Sequence, residues 1–374
     1  MTSKNSFDKN VGEWSEFYTL VYLLGRRSLI LADKSLNPLV NMTIPIIKII
    51  RHDKNNEPID FVVKDSGIIE LYKSNKLVKT FKSEYFTYKA EYILDVIKTR
   101  IDNKTGSFFI PQAYELLHEL YLKSVTATSS EVTDILMQVH DILTGQEPIV
   151  GYSIKSYLGG APTLLNAGKT TNFVYKIIGL SNDDMIEINA IESSKKLLDR
   201  MELICKKGAK IEFSHVLNSV FDDNLTMLDS TMPQIIGNLL LVSYTRNIVD
   251  CDELIQILEK ENPLGYNRKG LYEYKFKKLL SAKALGMNPS EPWNGYDLVN
   301  GGYIVVTDVG NVLAYHLYNR DVLEQYLLQS TKLERASSTR HDYGSIYLHN
   351  GIMYINLNLQ IRFYTMSQIK KSLN

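Results

Sequence analysis

QVHDILTGQEPIVGYSIKSYLGGAPTLLNAGKTTNFVYKI, residues 138–177, is the stretch whose reading decides the fold. Ile149 to Ser156 is rich in β-branched and aromatic residues and is bounded by Pro148 and Gly159-Gly160, so it reads as a strand. Alternation along a strand turns Val150, Tyr152 and Ile154 toward a core and leaves Gly151, Ser153 and Lys155 on the open face. Asp141 stands just ahead of the turn signal Thr144-Gly145. The spacing from Asp141 to Lys155 suits a turn between adjacent strands of one sheet, which would bring an acid and a lysine together. Metal-dependent phosphodiester hydrolysis uses that pair: the Asp holds Mg²⁺, and the Lys steadies the attacking water or the phosphate. The same residues admit plainer readings. Asp141 is also a good turn or cap residue bonded to local backbone, and Lys155 a good surface lysine on a polar strand face. Ser153 offers only a weak polar contact. One carboxylate holds Mg²⁺ poorly without other oxygen ligands, so a second acid is expected from elsewhere in the chain.

Asn172 to Gly179 reads as the next strand. In the connection, glycines let backbone approach a ligand closely, and Ser156, Asn166, Lys169, Thr170 and Asn172 offer groups for DNA contact. Gly168-Lys169-Thr170 invites a nucleotide-binding P-loop reading. That motif needs glycine at position 163, where Thr163 stands, and a helix after the lysine, where a strand is expected.

Working outward, Gly12 to Gly25 reads as a helix with Trp14, Phe17, Tyr18, Val21 and Leu24 near one face. Glu16 lies at the rim of that stripe and Glu13 closer to it; first-turn acids also simply suit the helix dipole. Thr43 to Phe81 turns β-rich (TIPIIKII, PIDFVV, GIIELY, KLVKTF) and resembles a small antiparallel unit. Helices are expected at Lys89–Arg100 and Pro111–Ser124, with Thr126–Ser130 a loop and cap before Glu131–Val139. Asp183 to Gly208 reads as helical, Ile211 to Val216 as a strand, and Leu217 to Lys260 as two or three helices. The end of the chain reads as a strand pair (GGYIVVT, NVLAYHLY), a helix at Arg320–Gln329, a polar loop and final strands.

The chain of 374 residues has a formal net charge of zero, two cysteines without a CxxC, and no apolar run long enough to span a bilayer. The N-terminus lacks the apolar run of a signal peptide, so a cytoplasmic, reducing location is expected and no membrane partner. Zero charge is what a protein that binds no nucleic acid would show. It also suits a nuclease whose acidic outer faces offset a basic cleft, because distribution matters more than the sum. Lys206-Lys207 with Lys210, and Lys275 to Lys283, are candidates for phosphate contact or solvated helix surface. No HExxH occurs, and Gly151-Tyr152-Ser153-Ile154-Lys155 lacks the last glycine of a nucleophile elbow.

HDILTG followed by GYSIKS-LG, with LLNAGKTTNF, GEWSE near the start, and the late GGYIVV, STRHDYG and NLQIRF, resembles the HpaII-type type II restriction endonucleases. These pieces run in order through most of the chain. The resemblance implies a Mg²⁺-dependent enzyme cutting double-stranded DNA at a short palindrome, CCGG in the namesake. It implies an α/β fold with a mixed central sheet flanked by helices, a PD-(D/E)xK-like nuclease core, and added β-rich N-terminal and α/β C-terminal parts. The pattern departs at His140, where proline is expected, and at Ser153, where the second acid is expected. In that scheme Asp141 and Lys155 are catalytic with Ser153 beside them, and Glu16 is the first choice for the missing metal ligand. The spacing Gly12-x-x-x-Glu16 is similar to that of Holliday-junction resolvases of that fold. Glu13 and Glu147 stand behind it. Arg340 and His341 in SSTRHDYG are candidates for DNA readout, Arg340 matching guanine N7/O6; such a loop is also ordinary polar surface. The expected regions are 1–125, a nuclease core at 126–195, and a recognition region at 196–374. A cognate DNA methyltransferase and a homodimer are the implied partners. The rival reading is a non-catalytic DNA- or protein-binding module on a nuclease-like scaffold.

Overall fold

The computed structural model describes residues 7–52, 57–103, 106–127, 133–142 and 144–372. The loop and cap expected at Thr126–Ser130 falls partly outside them, as does the start of the element after it. The chain forms two compact units. The first takes residues 1–162, 297–326 and 365–374, and the second takes 163–296 and 327–364. Three consecutive regions were expected. The division differs because a late strand pair, Gly302–Val306 and Val312–His316, pairs with strands from the first part of the chain.

The first unit is mixed α/β. Among its described residues, nine strands form one sheet in the order Ser28–Ala32, Val312–His316, Gly302–Val306, Ile149–Ser156, Ile135–Val139, Pro38–His52, Pro58–Val63, Ile68–Lys73, Lys76–Lys82. The β-rich run after Thr43 is therefore an antiparallel meander, as its alternation predicts, but it is half of a larger sheet rather than a separate unit. Pro38–His52 has three partners, Ser28–Ala32 along its first part and Pro58–Val63 and Ile135–Val139 along its last. Parallel pairing with Gly302–Val306 makes Ile149–Ser156 an interior strand, and Val150, Tyr152 and Ile154 are sequestered in the core on its face.

The helix Val11–Arg26 packs its stripe of Trp14, Phe17, Tyr18, Leu20, Val21 and Leu24 into the same core as Tyr152 and Ile154. It starts at a capping box. Asn10 Oδ1 accepts from the Glu13 N–H (3.0 Å), and Glu13 returns a carboxylate to the Asn10 N–H (2.9 Å). The Trp14 indole N–H donates to the Phe108 carbonyl (3.0 Å), which fixes the rotation of the helix about its axis.

In the second unit, Lys210–Val216, Asn172–Ile178, Ile352–Asn358 and Ile346–His349 form an antiparallel sheet in that order. One face packs on the apolar helix Met232–Arg246, where the Tyr175 hydroxyl donates to the Gly237 carbonyl (2.7 Å). Among the described residues, no helix of either unit is long and apolar enough to cross a membrane.

Candidate active site and recognition cleft

The hairpin of Ile135–Val139 and Ile149–Ser156 has the register Ile135 opposite Tyr152 and Gln138 opposite Ile149. Asp141 lies at its turn end, where its N–H donates to the Gln146 carbonyl (2.8 Å). Lys155 lies beyond the opposite end. Asp141 stands level with Gln146, so about nine residues at about 3.3 Å per residue, roughly 30 Å along the strand, separate the two levels. Asp141 and Lys155 are therefore not brought together. A hairpin turn brings two strands side by side, but only register-matched residues meet, and fourteen residues is too long a path for these two.

Asp141 is buried at 4% exposure and its carboxylate is occupied: Thr144 donates from Oγ1 (2.8 Å) and N–H (3.4 Å), and the Tyr318 hydroxyl also bonds to it. His316 beside it is buried, and burial lowers its pKa. The expected ligand is thus a turn-stapling residue. Glu147 sits at the same end, exposed and 3.5 Å from the His140 imidazole, while Glu13 serves as the helix cap. Neither joins Lys155.

At the mouth of the hairpin a different acid takes the position. The Asp134 N–H donates to the Tyr152 carbonyl (3.0 Å), continuing the ladder. Its Oδ2 accepts the Ile154 N–H (2.6 Å) and the Ser153 hydroxyl (3.1 Å). Its Oδ1 has no hydrogen bond among the described residues. Asp134 is register-matched to the Ser153–Lys155 segment, and the signal that could have found it was Thr133-Asp134 entering the strand ILMQV.

Glu16 joins this group. Its carboxyl is half-buried and its pKa is pushed up to about 8, first by desolvation and then by the Asp134 carboxylate; the cations Arg51 and Lys155 pull it back. Glu16, Asp134, Lys155 and Arg51 thus share one electrostatic neighbourhood, in which Asp141 does not figure. Arg51 is buried at 3% exposure and reaches the carbonyls of Asp134 and Val125, each at 3.4 Å. No group of three or more His, Cys, Asp or Glu side chains is gathered among the described residues. Two carboxylates still fit Mg²⁺, which keeps several waters and needs only one or two protein carboxylates. Their mutual repulsion is what a divalent cation would offset.

In the second unit the two predicted DNA-contact stretches come together. Asn172 is fully buried. Its Nδ2 donates to the carbonyls of His341 (2.9 Å) and Asp342 (3.2 Å), and its Oδ1 accepts from Asn358 (2.7 Å). It cannot touch DNA and instead ties the two loops to each other, because an amide placed inside must have all its polar groups paired. Lys169 is exposed and 3.6 Å from the Asp342 carboxylate; Asn166 is exposed and Thr170 half-buried. Arg340 is exposed on the short helix Ser338–His341, and its guanidinium has no ion pair among the described residues; His341 is half-buried. In the first unit, Ser156 Oγ accepts the Leu158 N–H (3.1 Å).

Several lysines of the basic clusters are paired locally. Lys207 pairs with Asp184 and Glu187, Lys206 with Glu202, and Lys210 with Glu212. Lys275 is held by Asp229 (2.9 Å), Thr231 (2.9 Å) and the Tyr266 hydroxyl (3.1 Å). These ion pairs offset part of the positive charge of both clusters.

The HpaII restriction endonuclease family model matches residues 10–363. The type II restriction enzyme HpaII of Haemophilus parainfluenzae is 38% identical over 367 residues, covering 96% of this chain and 99% of that enzyme. No solved structure matches.

Proposed function

The chain belongs to the HpaII restriction endonuclease family, and on that premise we propose that Asp134, Glu16 and Lys155 form the site with which it cuts both strands of DNA. As a sequence-specific restriction endonuclease it acts on double-stranded DNA, and enzymes of this type use divalent metal ions. In our reading the ion is Mg²⁺, the recognised palindrome is CCGG, and the hairpin mouth is a PD-(D/E)xK-like core. Thr133 precedes the Asp, Ser153 stands where the second acid is expected, and Glu16 supplies that acid from the first helix. Arg340, with Lys169 and Asn166 nearby, makes the DNA contacts. A methyltransferase protecting the same sequence and a second copy of the chain on the two-fold site complete the proposal.

Glu16 and Asp134 would hold the cation. The chemistry it supplies when bound is charge neutralisation on the phosphate and acidification of water. Ser153 Oγ and the Ile154 N–H fix one Asp134 oxygen and leave the other without a hydrogen bond among the described residues. The Lys155 ammonium orients the attacking water or steadies a phosphate oxygen. Direct in-line attack by water leaves a 5′-phosphate and a 3′-hydroxyl with no covalent enzyme intermediate. The observation that carries the reading is that Asp134 is tethered to Ser153 and Ile154, beside Lys155 in the strand, and that its charge and that of Lys155 both act on Glu16.

Incubation with unmethylated phage DNA and Mg²⁺, followed by sequencing of the ends, tests it. Wild-type protein is expected to give discrete fragments with ends inside CCGG, and Asp134→Asn or Lys155→Ala to leave the DNA intact. Undiminished cutting by either variant removes that residue from the scheme; intact but retarded DNA with the wild type would favour a non-catalytic binder.

A further inference from the structure

The four-stranded sheet of the second unit has one buried face; the other is covered at Asn172, Val174 and Asn358 and opens toward Lys176, Tyr354 and Tyr347. Phe173, Tyr175, Ile177, Ile355 and Leu357 are sequestered on the first. The register places Lys176, Tyr354 and Tyr347 in one row on the other, with Asn356 in the row beside them. A cleft of about 670 Å³ lies over the Tyr347 and Asn356 end. Glu192 and Lys196 line it together with Ser338 and Asp342. The last two flank Arg340 in sequence, so the cleft adjoins the loop already assigned to DNA contact.

The orientation of the Asn356 amide is set by its neighbours. Its Oδ1 accepts from the Tyr347 hydroxyl (3.0 Å), and the Tyr347 ring stacks on Tyr354, with centroids 5.9 Å apart and planes at 28°. With the oxygen engaged, Nδ2 is left with its donors unused among the described residues. A half-buried amide with a fixed oxygen and unused N–H groups is a directed donor for acceptors on a ligand. In the major groove, guanine presents two acceptors, N7 and O6, and its paired cytosine a donor, N4. The Glu192 carboxylate at the side of the same cleft is 68% exposed and ion-paired with Lys196 (3.1 Å) and Arg200 (3.3 Å).

We propose that Asn356 reads a guanine edge of the recognised site, with Tyr347 as the positioning residue that aims its amide. This rests on the endonuclease reading above and adds a base-reading group to it. No signal in the sequence marked it: Asn356 lies in the alternating strand MYINLNL, where an outward polar residue is the ordinary expectation.

The test is cleavage by the full-length protein of duplexes carrying the cognate site and every single base-pair replacement of it. Asn356→Ala is expected to lower discrimination at one G·C position by roughly 10- to 100-fold while leaving the other positions as in wild type. Asn356→Asp, which replaces the donors with an acceptor at the same size, should lower it further at that position. Tyr347→Phe keeps the ring stack and frees the amide, so it should give a smaller loss of discrimination at the same position; it carries the test if Asn356→Ala unfolds. Cutting that weakens by one common factor at every position, or an unchanged discrimination profile in all three variants, overturns the proposal. A wild-type protein that cuts no duplex overturns the endonuclease reading itself and this inference with it.

Discussion

The two ends of the hairpin formed by Ile135–Val139 and Ile149–Ser156 carry an aspartate each, and they differ in what surrounds the carboxylate. Asp141 at the turn is almost completely buried, with oxygens occupied by Thr144 and Tyr318. Asp134 at the mouth is half-buried, has one oxygen tethered to Ser153 and Ile154, and repels the Glu16 carboxyl. A satisfied aspartate lowers the free energy of the fold. One held with an unused oxygen beside a second acid raises it, and such a cost marks groups kept for a ligand. The difference separates an acid whose oxygens are spent on the turn from one that the proposed site can use.

The largest effect expected from this contrast is on cutting. Asp134→Asn should lower the cleavage rate by on the order of 10²–10³ or more, with the melting temperature nearly unchanged. Asp141→Asn should leave the rate within a few-fold and cost about 1–2 kcal/mol of stability through the lost turn bonds. Parallel rate and denaturation measurements decide it, and the reverse pattern would exchange the two assignments.

A second, intermediate effect is on pH dependence without metal. The Glu16 carboxyl is raised from an ordinary 4.5 to about 8, so between those values the folded state holds a proton that the unfolded state has released. Stability should therefore fall as pH rises through that window, because the unfolded chain binds fewer protons. Glu16→Gln removes the titration. Its melting temperature relative to wild type should be higher at pH 8 than at pH 4.5, and added Mg²⁺ should stabilise the wild type but not the variant. A pH-independent difference between the two proteins would show that the Glu16 carboxyl is neither desolvated nor met by the Asp134 charge.

The smallest effect concerns the acid one turn away. Glu13 closes the capping box of the first helix, so Glu13→Ala should cost about 0.5–1 kcal/mol and leave the specific activity of folded protein unaltered. A loss of cutting on the scale of the Asp134 variant would mean that the acids of the first helix had been assigned in the wrong order.

The sequence by itself determined the local elements. Alternation marked the meander after Thr43 and the strand Ile149–Ser156, the apolar stripe marked the helix that carries Glu16, and ordered motifs from GEWSE to NLQIRF marked the family. These are legible because periodicity and turn chemistry act over a few neighbouring residues. Which aspartate shares the Lys155 end of the hairpin was decided only by the tertiary structure. Turn propensity favoured Asp141, whereas strand register, set by which residues hydrogen-bond across the hairpin, selected Asp134. Asn172 shows the same limit: an asparagine beside glycines reads as a donor to DNA until burial removes it from solvent and assigns its amide to His341, Asp342 and Asn358. Pairing between residues far apart in the chain depends on packing that no local pattern encodes.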